Sequence, residues 1–342
     1  MITRFFNRWA PLTAAVILVL RLTLVPSLSL GEARADASGS ADPSAVGPYG
    51  VASLNEGIYD GARGRSVGLL TLFPSADGRS PARDGAPYPL IIFSHGFLLR
   101  GEQYRSYGEH LASHGFVVAL PTYSASLLGF SHVELKNDLL FVIDYYLRVN
   151  ATAGQWLEGA IDPERIGTSG HSLGGKLSLF AAAEDSRIKA SATLDPVDGG
   201  PPGGGDPSRF PSVAPEMMGG LHVPLLFIGN DLSREALSGS GTPCAPEEEN
   251  YERFFEAANP PAIEVTQLGV GHMQYLDNPD CGFACSVCVR GSTPSEEVRA
   301  KAQAYLTAFY LGHLKGLDGA LAWLDWTLQA DEAAGKITVR RK

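Results

Sequence analysis

Short apolar runs alternate along the chain with segments whose apolar residues recur at helical spacing. Residues 67–73, 90–94 and 116–121 are runs of the first kind. Between and after them, Tyr104, Tyr107 and Leu111 fall at i, i+3, i+7, and Leu139, Leu140, Ile143, Tyr146 and Leu147 share one face of a second helix. Four further runs, at 165–168, 190–194, 225–229 and 263–268, are short, apolar and bounded by turn residues, as strands buried on both faces are. A long helix is predicted from about Ser295, with Val298, Ala302, Tyr305 and Phe309 on one stripe and Thr293, Pro294 and Ser295 as its start signal. The alternation predicts an α/β fold: a doubly wound, mostly parallel sheet flanked by helices, in a single domain over residues 65–334 with 335–342 as a tail.

The two ends of that domain differ. Arg4 and Arg8 precede an uncharged stretch at 9–20, and Ala33-Arg34-Ala35 is a small-x-small cleavage pattern, so residues 1–35 read as a signal peptide of a secreted or periplasmic protein. The alternative is an uncleaved anchor, although Arg21 interrupts the apolar stretch before the roughly 20 residues that a membrane span needs. Residues 36–64, rich in Ala, Ser, Gly and Pro, read as a linker and irregular lead-in. A second Gly/Pro-rich segment, 199–215, lies between two predicted strands where a helical lid could otherwise sit, and predicts an open site.

With 44% hydrophobic and 19% charged residues the chain is expected to fold rather than remain disordered. Its net charge of -10 leaves no electrostatic footprint for nucleic acid or anionic lipid. The expected partner is a neutral or apolar small molecule or polymer, with no nucleic acid and no stable membrane span once the leader is removed, and a monomer is expected. In an oxidising compartment Cys244, Cys281, Cys285 and Cys288 favour two disulfides, whose pairing three arrangements satisfy equally. A zinc site is the alternative, weakened because no His stands beside them at ligand spacing.

The chemistry concentrates in three turns. Gly170-His171-Ser172-Leu173-Gly174-Gly175 lies between a strand and the helix-like run 176–183, the context of a nucleophile elbow. Serine is a weak nucleophile until a base takes its proton, and a tight strand-to-helix turn exposes its Oγ where small flanking residues allow it. Ser94-His95-Gly96-Phe97 ends the second strand, where backbone N–H groups of Phe97 and Leu173 are expected to converge on a developing oxyanion. The His95 side chain itself reads as structural. Gly271-His272-Met273 follows the last parallel strand, so His272 is the expected general base, and the other seven histidines read as structural. The orienting carboxylate stays open between Asp195 and Asp231, since both follow a strand and satisfy the order Ser, Asp, His. Phe97, Leu98, Leu99 and Met273 flank these turns and are candidates for lining an apolar substrate pocket.

Taken together, from about Pro89 to Leu314, the chain resembles the chlorophyllase family of α/β-hydrolases. The similarity rests on Phe93-Ser94-His95-Gly96-Phe97-Leu98-Leu99, Ala112-Ser113-His114-Gly115-Phe116, the elbow, Asp195-Pro196-Val197-Asp198-Gly199, Pro243-Cys244-Ala245-Pro246 and Gly271-His272-Met273 with Leu276-Asp277. The resemblance implies Ser172 as nucleophile, His272 as base and Asp195, which opens the Asp-Pro-Val motif, as the acid. It also implies a serine carboxylic-ester hydrolase needing no metal or organic cofactor, with a bulky apolar alcohol such as phytol in its ester. At the elbow, plant members usually have Arg where this chain has Leu173, which loosens the link to one substrate. Polyester or lipid esters of the cutinase type are the alternative, although those enzymes usually place the acid where Asp231 sits. From another class, a catalytically silent hydrolase fold carrying an apolar ligand would be expected to lack one of the three residues.

Overall fold

The computed structural model describes residues 42–123, 131–201, 205–237 and 241–342, the side chains of 283 and 284 excepted. The predicted leader, residues 1–35, lies outside the described residues.

Nine strands among the described residues form one sheet: β1 (Val51–Asp60), β2 (Arg65–Pro74), β3 (Tyr88–Ser94), β4 (Val117–Tyr123), β5 (Ile161–His171), β6 (Ile188–Leu194), β7 (Leu225–Asn230), β8 (Ala262–Gln267) and β9 (Ile337–Arg341). Their order is β1-β2-β4-β3-β5-β6-β7-β8-β9. Neighbours from β4 to β8 run parallel, while β1/β2, β2/β4 and β8/β9 are antiparallel. This is the single-domain α/β-hydrolase architecture, a mostly parallel sheet with helices on both faces.

Period-2 alternation divides the strand residues between two cores. On β3, Ile91 and Phe93 pack with Tyr104, Tyr107, Tyr305 and Phe309, whereas Leu90 and Ile92 pack with Leu139, Ile143, Tyr146 and Leu177. The first layer holds α1 (Arg105–Ser113) and α6 (Ser295–Lys315). The second holds α2 (His132–Ala151) and α3 (Leu173–Glu184). Helix α2 starts where Ser131 Oγ accepts the Glu134 N–H. α4 (Tyr251–Ala257) adds Tyr251, Phe254 and Phe255 to a third cluster near β7 and β8, and the short α5 (Phe283–Ser286) lies among the cysteines.

Three segments differ from the sequence reading. Part of the lead-in assigned to 36–64 is strand β1, part of the tail assigned to 335–342 is strand β9, and α7 (Asp318–Ala333) follows α6. β1 and β9 each pair antiparallel along one outer neighbour, so their regularity comes from β2 and β8 rather than from an apolar run of their own. In 199–215 the described residues form no helix or strand. Cys244 pairs with Cys288 and Cys281 with Cys285, which leaves the zinc alternative without thiolates.

Candidate active site

Register brings the parallel strands to a common carboxyl edge. Ser94 pairs with Gly170, His171 with Leu194, Leu194 with Ile228 and Asn230 with Gln267. Loops leaving these positions carry Phe97, Ser172, Asp195, Asp231 and His272, the edge at which open α/β sheets bind ligands.

The only non-glycine residues with positive φ among the described residues are Leu98 (58°), Ser172 (57°) and Asp195 (41°), all on this edge. Such backbone costs about 1–3 kcal/mol each and persists only where its surroundings hold it. At Ser172 the N–H donates to Leu194 O (3.0 Å), and the carbonyl accepts from Gly175 (3.0 Å) and Val197 (3.3 Å). The turn closes tightly enough that a Cβ on Gly170 would lie 2.4 Å from the Gly174 carbonyl, and one on Gly174 2.1 Å from Ser94 O. Leu173 is the first residue of α3, so its N–H has no acceptor within the helix and stands at the positive end of the helix dipole. Phe97 follows the turn after β3.

His272 opens a 3-10 turn, His272–Tyr275, after β8. Its Nδ1 lies 2.6 Å from Asp195 Oδ2, with Asp195 fully buried. Asp195 also accepts from Asn230 Nδ2 (2.7 Å) and Ser233 Oγ (3.4 Å), and Asn230 Oδ1 accepts from the Ser233 N–H. Asp231 is engaged elsewhere, accepting the N–H groups of Gly269 (3.0 Å) and Val270 (3.2 Å) in the loop before His272. The two carboxylates that order along the chain could not separate are thus divided by geometry: one bonds the imidazole, the other caps its loop. Ser172 Oγ and His272 make no direct hydrogen bond in this structure.

A buried relay, unanticipated by the sequence reading, joins all three turns. The Gly96 N–H donates to Tyr104 OH (3.3 Å), Tyr104 OH lies 2.8 Å from His171 Nδ1, and His171 Nε2 lies 2.9 Å from the His272 carbonyl. A carbonyl only accepts, so the His171 proton is on Nε2, and Tyr104 donates to Nδ1. Burial, and then the neighbouring His272, hold His171 well below the ordinary histidine range, so the relay is neutral. The His171 and His272 rings lie 4.5 Å apart. Tyr104 carried a signal only as one member of a helical stripe.

Behind the elbow, fully buried Lys176 donates to Asp198 O (2.7 Å) and pairs with its carboxylate (3.1 Å). Asp198 also accepts the N–H groups of Val213 and Ala214, fixing the loop that enters 199–215. His95 is structural: Nδ1 donates to Gly96 O, Nε2 accepts the Tyr123 N–H, and burial pushes its pKa down to about 4. Asp277 accepts from Ser106, tying the base loop to α1.

Beside Ser172 opens a cavity of about 500 Å³, lined by Phe97, Leu173, Val197, Gly199, Cys244 and Glu249 among others. Leu98 and Leu99 lie instead along a separate depression with Ser66 and Tyr123, and Leu99 is nearly buried in the core. Met273 lines a third cavity, of about 420 Å³, with Leu237, Cys285 and Cys288. Of the four apolar residues flanking the turns, only Phe97 shares the cavity at Ser172.

The chlorophyllase family matches this chain over residues 79–329, from the approach to β3 into α7. The chain belongs to the chlorophyllase family. Membership makes it a carboxylic ester hydrolase. Among members, chlorophyllase-2 of Arabidopsis thaliana is 26% identical over 253 residues, covering 71% of this chain and 78% of that protein. Chlorophyllase-1 of the same plant is 28% identical over 235 residues, covering 65% and 71%. A platelet-activating factor acetylhydrolase of Canis lupus familiaris is 29% identical over a shorter stretch of 166 residues, 35% of this chain and 37% of that protein. In fold the chain is similar to a ferulic acid esterase from Streptomyces cinnamoneus, with a TM-score of 0.59 at 21% identity over 78% of this chain and 90% of that one.

Proposed function

We propose that the protein is an exported serine esterase in which Ser172, His272 and Asp195 act together on apolar carboxylic esters. The observation that carries this reading is the buried 2.6 Å contact between Asp195 and His272 Nδ1, made on the sheet edge where Ser172 sits in a strained strand-to-helix turn. With Nδ1 donating to the carboxylate, His272 keeps Nε2 as the basic nitrogen.

In the first half-reaction Ser172 Oγ bonds to the ester carbonyl carbon while its proton passes to His272 Nε2. Negative charge then gathers on the carbonyl oxygen, which the N–H groups of Phe97 and Leu173 are suited to receive, each such donor being worth about 2.7–4 kcal/mol where one has been removed. The C–O bond to the alcohol breaks as His272 returns the proton to the leaving oxygen. Water, activated by the same imidazole, releases the acid. Asp195 holds the tautomer and stabilises the imidazolium, with Asn230 and Ser233 fixing the carboxylate in turn.

For substrate, the family favours an ester with a bulky apolar alcohol, the phytyl ester of chlorophyll being the family's example. Two disulfides and the pattern of the first 35 residues support export.

A fluorophosphonate probe followed by peptide mass spectrometry tests the nucleophile, since labelling requires an activated serine. Label on Ser172, abolished in Ser172→Ala, is expected. Absence of label in folded, disulfide-intact protein would overturn the reading in favour of a silent carrier. Hydrolysis of pheophytin, p-nitrophenyl esters and a polyester film then ranks substrates, and activity confined to short acyl esters would exclude the phytyl ester.

A further inference from the structure

The cavity beside Ser172 is apolar along most of its wall, yet it contains a carboxyl group. Glu249 lies half-buried in that wall, its backbone fixed at both ends: the N–H donates to Pro246 O (2.9 Å) and the carbonyl accepts from Asp198 N (2.7 Å). The carboxyl rests on the backbone of Gly199, where a Cβ would come within 2.4 Å of Oε2. Glycine at 199 is what gives it room.

The cations nearby are committed to other groups. Lys176 is held by Asp198, while Arg253 donates to Glu248 O and Ser212 Oγ. Among the described residues no hydrogen bond or ion pair reaches the Glu249 carboxylate. Burial, then Glu248 and Asp198, raise its pKa above the ordinary glutamate value.

The part of the ester that enters this cavity follows from the proton's path. The leaving oxygen must meet His272, whose imidazole lines neither cavity, but Met273 and Gln274, the next two residues, line the cavity shared with Cys285 and Cys288. With the alcohol on the Met273 side, the acyl group falls on the Glu249 side, in the cavity that Ser172 itself lines.

We propose that Glu249 sets the charge selectivity of the acyl pocket, admitting acyl groups that are neutral or end in a hydrogen-bond donor and rejecting those that end in a carboxylate. The assignment rests on the serine-esterase reading. A carboxylate brought into this partly desolvated pocket meets a like charge with no counter-ion within pairing distance, and the repulsion is far stronger there than in bulk water.

The test compares kcat/KM for p-nitrophenyl valerate and mono-p-nitrophenyl glutarate, acyl groups of one length that differ in a terminal carboxylate. Wild-type protein is expected to favour the valerate by at least tenfold. Glu249→Gln should lower the valerate-to-glutarate ratio of kcat/KM at least fivefold. Glu249→Asp should keep the discrimination, and Glu248→Gln, which removes an exposed neighbour, should change neither substrate. Equal preference in wild type, discrimination surviving in Glu249→Gln, or the same shift in Glu248→Gln would overturn the assignment, the last pointing to the overall acidic field. If Glu249→Gln does not fold, loss of discrimination in Glu249→Asp would overturn it. Failure of the wild type to hydrolyse even the valerate would overturn the esterase reading and the selectivity with it.

Discussion

Asp195 and His272 stand 77 residues apart in the chain and 2.6 Å apart in the fold, joined Oδ2 to Nδ1 with both side chains buried. Asp231, one residue past the end of the next strand, spends both oxygens on backbone N–H groups of the loop leading to His272.

Exchange of the two carboxylates for amides should therefore have opposite signatures. Asp195→Asn is expected to lower kcat by roughly 10³–10⁴, since the amide favours the wrong imidazole tautomer. Asp231→Asn should leave kcat within a few-fold and lower the melting temperature, as loop N–H groups lose a charged acceptor. Ester kinetics beside thermal melts of both variants decide this, and a larger kcat loss in Asp231→Asn would reverse the roles.

Tyr104→Phe removes the hydroxyl that links the Gly96 N–H to His171 Nδ1. Two buried groups then lack partners, a loss of about 1–3 kcal/mol each. The expected result is a lower melting temperature and a kcat reduced about tenfold at nearly constant KM, because both Gly96 and the His272 carbonyl hang on this relay. Unchanged kcat in the less stable variant would make the relay structural only.

The two disulfides should differ in weight. Cys244–Cys288 closes a separation of 44 residues and Cys281–Cys285 only 4. Loop-closure entropy gives about 4 kcal/mol for the first and about 2 kcal/mol for the second. Denaturant titration of the double alanine variants is expected to rank them in that order.

Acid should destabilise the fold through buried neutral histidine. His95 is held at about 4 in the folded state, against about 6.5 unfolded, so the unfolded chain binds the extra proton between those values. Its contribution is complete above pH 6.5 and falls by about 1.4 kcal/mol per pH unit as pH drops towards 4. Melts at pH 7 and pH 5 should show a smaller acid loss in His95→Gln than in wild type.

How much of this was legible in the sequence depends on whether the determining partner was local. Most of β3 to β8 lies in the sheet interior, and the apolar stretches of these strands read as runs. β1, an edge strand, carries Ser53, Asn55 and Glu56 among its apolar residues, and becomes regular through its pairing with β2. The elbow was readable because strand, tight turn and helix are contiguous at Ser172. The order Ser, Asp, His admitted both Asp195 and Asp231, and it was the motif resemblance that favoured Asp195. Tyr104, Asn230 and Glu249 gain their places by contacts across 35 to 67 residues, for which a single sequence has no periodicity. The cysteine pairing was open for the same reason, as three arrangements suit one spacing.

Leu98, Ser172 and Asp195 hold their left-handed backbone at the ends of neighbouring strands. Glycine would release the backbone strain at each of them, although at Asp195 it would also strip buried Asn230, Ser233 and His272 of their acceptor. At two of the three, the same exchange deletes a side chain on which the proposed chemistry depends. Selection for thermal tolerance alone would thus drift toward an inactive sequence at Ser172, and only Leu98 offers relief without that conflict.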